Sequence, residues 1–361
     1  MKPLTARQVC LFFIAFIPIN KLFLLPSLLA RTCAEDMWLC TLFNTLIDLL
    51  TLACLLPIAK NCNKTIYQIV EDAISKKGAK IVFFIYSLFF ILKSILPIIE
   101  EKAYIEITLY EVFPKGFMFL PFFVVAFYLC IKNLQAVGRT ADIVWFSTLV
   151  GVIILFALSV ANCDLSSLLP VGANGPLKTL EGGFKGFIWH GDCVYFAFFL
   201  GRFNCNKKEM QKIFWCFLLS CLLTVGFMVM FYGIFKSIAH RQIFALTDIS
   251  KYSTVISNIA RFDYFGIMAI LFSGIFSLTV PLYFATECFS YTFNFKTKII
   301  PAIIVNGVVL FITLFLREYF YSLEKIALSF GSAISFALCN FAPVFIPLLL
   351  KRRVKHEPQK N

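Results

Sequence analysis

The residues with chemistry to offer sit where lipid ought to be. One run reads Ile14-Ala15-Phe16-Ile17-Pro18-Ile19-Asn20-Lys21-Leu22-Phe23-Leu24-Leu25-Pro26, and a second reads Gly186-Phe187-Ile188-Trp189-His190-Gly191-Asp192-Cys193. A lysine at the centre of a spanning helix costs roughly 2.5–3.5 kcal/mol on insertion scales, so Lys21 must face protein or water and find a partner. Three roles are open to it. It can bind a ligand carboxylate directly, it can stand in for a coupling cation, or it can form a structural ion pair with Asp192 or Asp48. Asp192 can bind a ligand amine or relay protons, or it can cap the half-helix that follows it, whose free N–H groups attract an anion. His190 has the only side chain type whose ordinary titration lies near neutrality, but a lone histidine is also a common hydrogen-bonded packing residue. His240 and His356 are the only other histidines and lie far off in sequence, so no metal site is expected.

Further polar groups interrupt other apolar runs. Thr41, Asn44, Asp48 and Thr51 are spaced three, four and three apart, which places them on one helical face directed into the bundle. That face reads as a polar seam between helices or as the wall of a water path. Lys93, beside Ser94, is placed to pair with Asp48 or to snorkel. Glu100, Glu101 and Lys102 fall at the exterior end of the same run and are expected to meet water at the rim. Adjacent carboxylates point to different sides of a helix, which argues against a catalytic pair.

The elements that carry these groups follow from composition. The chain has 361 residues, of which 60% are hydrophobic and 15% charged. Soluble domains carry about 45–50% apolar and about 25% charged residues. A mean hydropathy of +0.84 therefore excludes a disordered chain and an ordinary soluble enzyme, and specifies an all-α polytopic membrane protein. Ten stretches meet the requirement of roughly 20 mainly apolar residues. They are 8–30, 37–59, 80–100, 117–133, 142–162, 184–203, 212–235, 263–287, 299–316 and 326–350. The first lacks a small-x-small cleavage site and is not expected to be a removed signal peptide. With both termini in the cytoplasm, 20 of the 33 lysines and arginines fall on interior segments, including Lys60, Lys64, Lys76, Lys77, Lys80, Lys207, Lys208 and Lys212. A basic tail over 351–361 adds to the same side. This follows the positive-inside rule. The net charge of +13 then reports topology and contact with anionic lipid at the cytoplasmic face, not nucleic-acid binding.

Two interrupted helices five spans apart suggest two inverted five-helix repeats, 8–162 and 184–350, within one membrane domain 1–361. In such folds the interruptions meet at the midplane and build the binding site. The 13 cysteines contain no CxxC pair, and most lie in apolar runs as small buried side chains. Cys33 and Cys163, both in exterior loops, are the one plausible pair. No phosphate-binding loop, dinucleotide fingerprint, zinc spacing or nucleophile elbow occurs, so neither a cofactor nor an enzymatic activity is expected.

Several pieces resemble the B-subunit permeases of bacterial spore germination receptors, a branch of the amino acid–polyamine–organocation superfamily. They are Leu22-Phe23-Leu24-Leu25-Pro26-Ser27, Asp36-Met37-Trp38, Gly138-Arg139-Thr140-Ala141-Asp142-Ile143, Asp164-Leu165-Ser166-Ser167-Leu168-Leu169-Pro170-Val171 and Arg261-Phe262-Asp263. The resemblance implies a leucine-transporter-like fold with broken helices 1 and 6. It implies a spore inner-membrane receptor subunit that recognises a small germinant such as an amino acid, with A and C subunits as partners. Ser277 or Thr279, on a helix that often lines the pocket in this fold class, becomes a candidate ligand contact beside Ser273; these hydroxyls can equally bond back to their own helix. The resulting candidate set is Ile19, Asn20, Lys21, Ser94, Trp189, His190, Gly191, Asp192, Ser277 and Thr279, between spans 1, 3, 6 and 8. One departure stands out. The superfamily usually has a Gly-x-Gly-like stretch in span 1, and by register from Pro26 those glycine positions are Ile19 and Lys21 here. A secondary transporter of amino acids or amines, and a degenerate structural subunit, are the competing readings. Over Phe244 to Ile259, Val255, Ile256 and Ile259 recur at helical spacing and suggest a short exterior helix, lying over the pocket as a lid or flat in the membrane interface.

Overall fold

The structure is a computed structural model that describes residues 4–61, 64–108, 119–251, 263–315 and 324–346. Of the expected helix over Phe244–Ile259 the structure describes residues up to Lys251; its remainder, the Arg261-Phe262 pair and the basic tail lie outside the described residues. Among the described residues fourteen helices, short 3-10 turns aside, follow in chain order. They are α1 (Ala6–Phe16), α2 (Leu25–Cys33), α3 (Met37–Asn61), α4 (Ile66–Ala73), α5 (Lys76–Thr108), α6 (Leu120–Ile131), α7 (Leu134–Ser159) and α8 (Gly175–Gly186). The series continues with α9 (Val194–Phe199), α10 (Lys207–Phe235), α11 (Ala245–Lys251), α12 (Asp263–Phe293), α13 (Ile299–Phe315) and α14 (Glu324–Val344). No strand occurs among the described residues. Among the described residues six helical stretches are long and apolar enough to cross a membrane, and α6 and α13 are shorter apolar helices. The chain is an integral membrane protein.

Local chemistry sets the element ends. The hydroxyl of Thr5 accepts from the Gln8 N–H and the Gln8 side chain accepts from the Thr5 N–H, a capping box that starts α1. Asn206 and Glu209 do the same for α10. Pro18 ends α1, because a proline has no N–H to donate and its ring crowds the preceding turn. The chain then makes a single 3-10 turn over Ile19–Lys21 and restarts as α2 with Pro26 in its first turn. Asp36 pins the connection before α8. Its two carboxylate oxygens accept from the N–H groups of Gly172 (2.7 Å) and Asn174 (2.9 Å).

α12 packs along α5 and α7, α1 lies against α7 and α10, and α10 runs beside α3. Buried side chains form two apolar clusters. One gathers α1 up to Ile17, the N-terminal two thirds of α5, and Cys193 to Phe203. The other gathers Ile19 through Cys33, Ile188, Trp189 and the C-terminal half of α10. The basic segments share one end of the bundle: the Leu4 N–H donates to the Arg202 carbonyl (2.9 Å), Thr292 Oγ1 to the Lys80 carbonyl (3.3 Å) and Lys298 Nζ to the Lys132 carbonyl (3.4 Å).

Three expectations need correction. Glu100 and Glu101 are not at a wet rim. Both are only 2% exposed, because α5 continues unbroken to Thr108 and carries them into the bundle. Cys33 does not face Cys163. Its Sγ lies 3.2 Å from that of Cys40 across the α2–α3 elbow, whereas Cys163 packs against Gly233. α7 starts at Leu134, not near 142, because Gly138 to Asp142 is already helical.

Candidate functional site

The first break leaves backbone acceptors without helical donors. In an unbroken helix the N–H groups of Asn20 and Lys21 would serve the carbonyls of Phe16 and Ile17. Here the Lys21 N–H turns to the Pro18 carbonyl (3.0 Å) and the Leu22 N–H to that of Ile19 (3.1 Å). Side chains fill the vacated roles. Ser277 Oγ donates to the Phe16 carbonyl (3.3 Å) and Lys21 Nζ donates to the Ile17 carbonyl (2.7 Å). A break at membrane depth is tolerated when protein groups satisfy the freed backbone in this way.

The second break lies between α8 and α9. Gly191 has φ +84° there, a conformation that disfavours any side chain, and a Cβ at that position would lie 2.4 Å from Cys339 Cβ. Lys21 Nζ donates to Asp192 Oδ2, joining the two breaks by a buried ion pair. Asp48 on α3 holds the second break from another side. One oxygen accepts from the Gly191 N–H (2.9 Å) and the other from Asn340 Nδ2 (2.6 Å). Lys93 reaches neither aspartate; its Nζ donates to the His190 carbonyl. His190 Nδ1 lies 2.9 Å from the Gly186 carbonyl. A carbonyl can only accept, so the proton sits on Nδ1, and Nε2 is left as a buried acceptor without a protein partner among the described residues.

Two lysines and two aspartates thus form a formally neutral layer between the two apolar clusters. Lys21 is 1% exposed, Asp48 and Asp192 2%, and Lys93 6%. Buried charge is expensive unless paired and hydrogen-bonded; all four groups are hydrogen-bonded, and Lys21 and Asp192 are also paired.

The remaining candidates scatter. Ile19 is buried in the second apolar cluster and Asn20 is half-buried. Trp189 Nε1 donates to Glu100 Oε1 (3.2 Å), and Gly274 of α12 makes room for the Glu101 carboxylate, which a Cβ there would meet at 2.3 Å. The Ser94 and Ser273 hydroxyls bond back to their own helices. Thr279 does likewise, donating to the Ile275 carbonyl (2.6 Å), and its side chain lines a separate groove between α6, α7 and α12. On α3, Thr41 and Thr51 also bond back to their helix, while Asn44 and Asp48 face the second break. Sequence reading missed Asn340. It sits in a π-helical stretch, Phe336–Phe341, a deformation frequent at functional sites, and its signal was an amide inside an apolar run. It also missed Cys193, whose Sγ lies 3.7 Å from Asp48 Oδ1. Among the described residues no group of three His, Cys, Asp or Glu side chains is placed to hold a metal ion.

The spore germination protein family matches residues 4–321 of the chain. The chain belongs to that family of permeases. This spore germination permease also has a known architecture. Crystal structures of a manganese transporter from Eremococcus coleocola cover 97% of it and are themselves covered over 77% of their length, at 11% identity. A form with a histidine-to-alanine substitution gives a TM-score of 0.58. A complex with an aromatic bis-isothiourea compound gives 0.57. At that identity the likeness shows the permease's fold alone. No curated protein sequence matches the permease.

Proposed function

We propose that this permease is the germinant-sensing membrane subunit of a spore germination receptor, taking a small ligand such as an amino acid at the two helix breaks. In this reading the bundle has ten spans in two inverted five-helix repeats, 8–162 and 184–350. Both termini are cytoplasmic, the membrane is the spore inner membrane, and the A and C subunits read the signal. The observation that carries the reading is the Lys21–Asp192 ion pair, which ties one break to the other. A ligand carboxylate would compete with Asp192 for the ammonium, and a ligand amine would compete with Lys21 for the carboxylate. Either exchange releases one break from the other. A ligand that favours the released arrangement shifts the population toward it, whereas one that bound both arrangements equally would send no signal.

The test is a thermal-shift screen of the detergent-purified permease, alone and with its companion subunits, against amino acids and small germinant-like molecules. The expected result is a ligand-specific shift that vanishes in Lys21→Ala. No shift in either preparation would overturn ligand sensing and leave the degenerate structural subunit. The transporter-like fold favours a second reading, secondary transport of amino acids or amines. Ligand-dependent uptake by liposomes holding the permease alone would select it.

A further inference from the structure

A groove of about 480 Å³ runs between α6, α7 and α12, away from the helix breaks. Its walls are Val125, Leu129, Val144, Phe272, Ile275 and Phe276. The two threonines that also line it present no free hydroxyl to it, since Thr140 Oγ1 donates to the Ala136 carbonyl (3.0 Å) and Thr279 Oγ1 to that of Ile275 (2.6 Å). The body of the groove is therefore apolar, and it opens sideways, with Val125 48%, Tyr128 59% and Phe272 51% exposed.

One end differs. Lys132 and Arg139 line it there, both exposed. Lys132 Nζ rests 4.7 Å from the Tyr128 ring centroid, and Lys298 reaches the Lys132 carbonyl (3.4 Å). Neither Lys132 nor Arg139 forms an ion pair among the described residues. The nearest acid in sequence, Asp142, is already taken by Arg7 (3.2 Å) and Gln8 (2.9 Å). α7 begins beside this end at Leu134 with no side-chain cap, so its positive dipole end adds to the field. An apolar channel open to acyl chains and ending in uncompensated cationic groups has the chemistry of a phospholipid.

We infer that this groove binds an anionic phospholipid, with its headgroup at Lys132 and Arg139 and an acyl chain between α6, α7 and α12. Only the choice of leaflet rests on the topology proposed above. Placed in the cytoplasmic leaflet, the headgroup end coincides with the basic face of the bundle. Water-soluble anions share the headgroup chemistry but leave the apolar channel empty.

The experiment is native mass spectrometry of the full permease in mild detergent, titrated with phosphatidylglycerol, phosphatidylcholine or inorganic phosphate. The unaltered permease is expected to retain one phosphatidylglycerol at least tenfold more strongly than phosphatidylcholine, and millimolar phosphate is expected not to displace it. The double variant Lys132→Gln/Arg139→Gln should lose that preference at least tenfold. Ile275→Trp, which fills the channel without changing charge, should also lose retention. Lys207→Gln/Lys208→Gln, on exposed residues of α10 outside the groove, should retain it; size-exclusion profiles confirm that all variants are folded. Equal retention of the two lipids, or unchanged retention in the double variant, overturns the site. Displacement by phosphate overturns the lipid and assigns a soluble anion. None of these readouts depends on germinant binding.

Discussion

Replacing Lys21 by methionine removes the ammonium and keeps a side chain of similar length. Asp192, 2% exposed, then holds a buried carboxylate with no cation bonded to it, and the Ile17 carbonyl loses its donor. Removing one member of a buried pair costs about 3–5 kcal/mol, and an orphaned buried acceptor adds about 1–3 kcal/mol. The two overlap, because the groups around the emptied site can relax, so Lys21→Met should cost about 4 kcal/mol. Asp192→Asn leaves the ammonium bonded to Ile17 but without a counter-charge and should cost about 3 kcal/mol. The double variant has no uncompensated charge and should cost only about 1–3 kcal/mol, the orphaned Ile17 carbonyl remaining. The assay is a double-mutant cycle on reversible unfolding in mixed detergent–SDS micelles, which isolates the pairwise term. Additive losses, or single losses each below about 1 kcal/mol, would refute the buried pair as the tie between the breaks.

Asp48→Asn should cost about 1–3 kcal/mol, because an amide offers one oxygen where Gly191 and Asn340 each require an acceptor; faster hydrogen exchange at the Gly191 amide would report it. Gly191→Ala should reduce the yield of monodisperse protein sharply. The new Cβ would meet Cys339 Cβ at 2.4 Å with φ at +84°, and overpacking alone costs about 1–3 kcal/mol. Adding Cys339→Gly should restore only part of the yield, since the backbone strain remains. Outside the membrane, hydrogen bonds from Lys236, then from the Ser166 hydroxyl and N–H, hold the Asp164 carboxyl down at about 2, from an ordinary 3.8. A lowered folded-state value means that the anchor is complete above the ordinary value and is lost as pH falls toward about 2. Peptic cleavage of the 160–170 loop should therefore be slower than in Asp164→Asn at the top of that window, and the difference should vanish toward its lower end.

How much was legible depends on which physical signal each feature leaves. The runs at 37–59, 80–100, 142–162, 212–235 and 263–287 became α3, α5, α7, α10 and α12, because continuous apolar sequence is what lipid demands. The interruptions at Pro18 and Gly191 were legible for the same reason in reverse. Helix ends were not. Hydropathy stops at the first charges, so Glu100, Glu101 and Lys102 read as a rim, although 2–5% exposure shows the bundle enclosing all three. The first turns of α7 were missed likewise: Gly138 packs on Leu4 and Gln8, a tertiary contact that no local period encodes. Lys93 was placed by charge matching against Asp48, but the bundle offers it the His190 carbonyl, an acceptor present at every residue and therefore invisible in sequence. Asn340 could have been found as the one amide in its run, but its partner could not, since Asp48 lies 292 positions away.

The residues at the first break carry a consequence for ligand class. Ile19 is spent in the second apolar cluster, and the Lys21 ammonium is already matched by Asp192. Under the proposed function, an incoming ligand must break that match, and the charges it exposes must find new partners in a buried setting. A zwitterion does this without a deficit, its carboxylate meeting Lys21 and its ammonium meeting Asp192. A simple acid would leave Asp192 bare, and a simple amine would leave Lys21 bare, each at the cost of an unpaired buried charge. Alanine, propionate and ethylamine form a graded series for this. Only alanine should stabilise the receptor complex, with the two single-charge analogues weaker by at least about 100-fold, as about 3 kcal/mol implies. In Asp192→Asn the order should shift, because the carboxylate that propionate would leave bare is gone. Equal binding of all three by the unaltered complex would mean that ligand does not enter between Lys21 and Asp192, and would return the pair to a purely structural role.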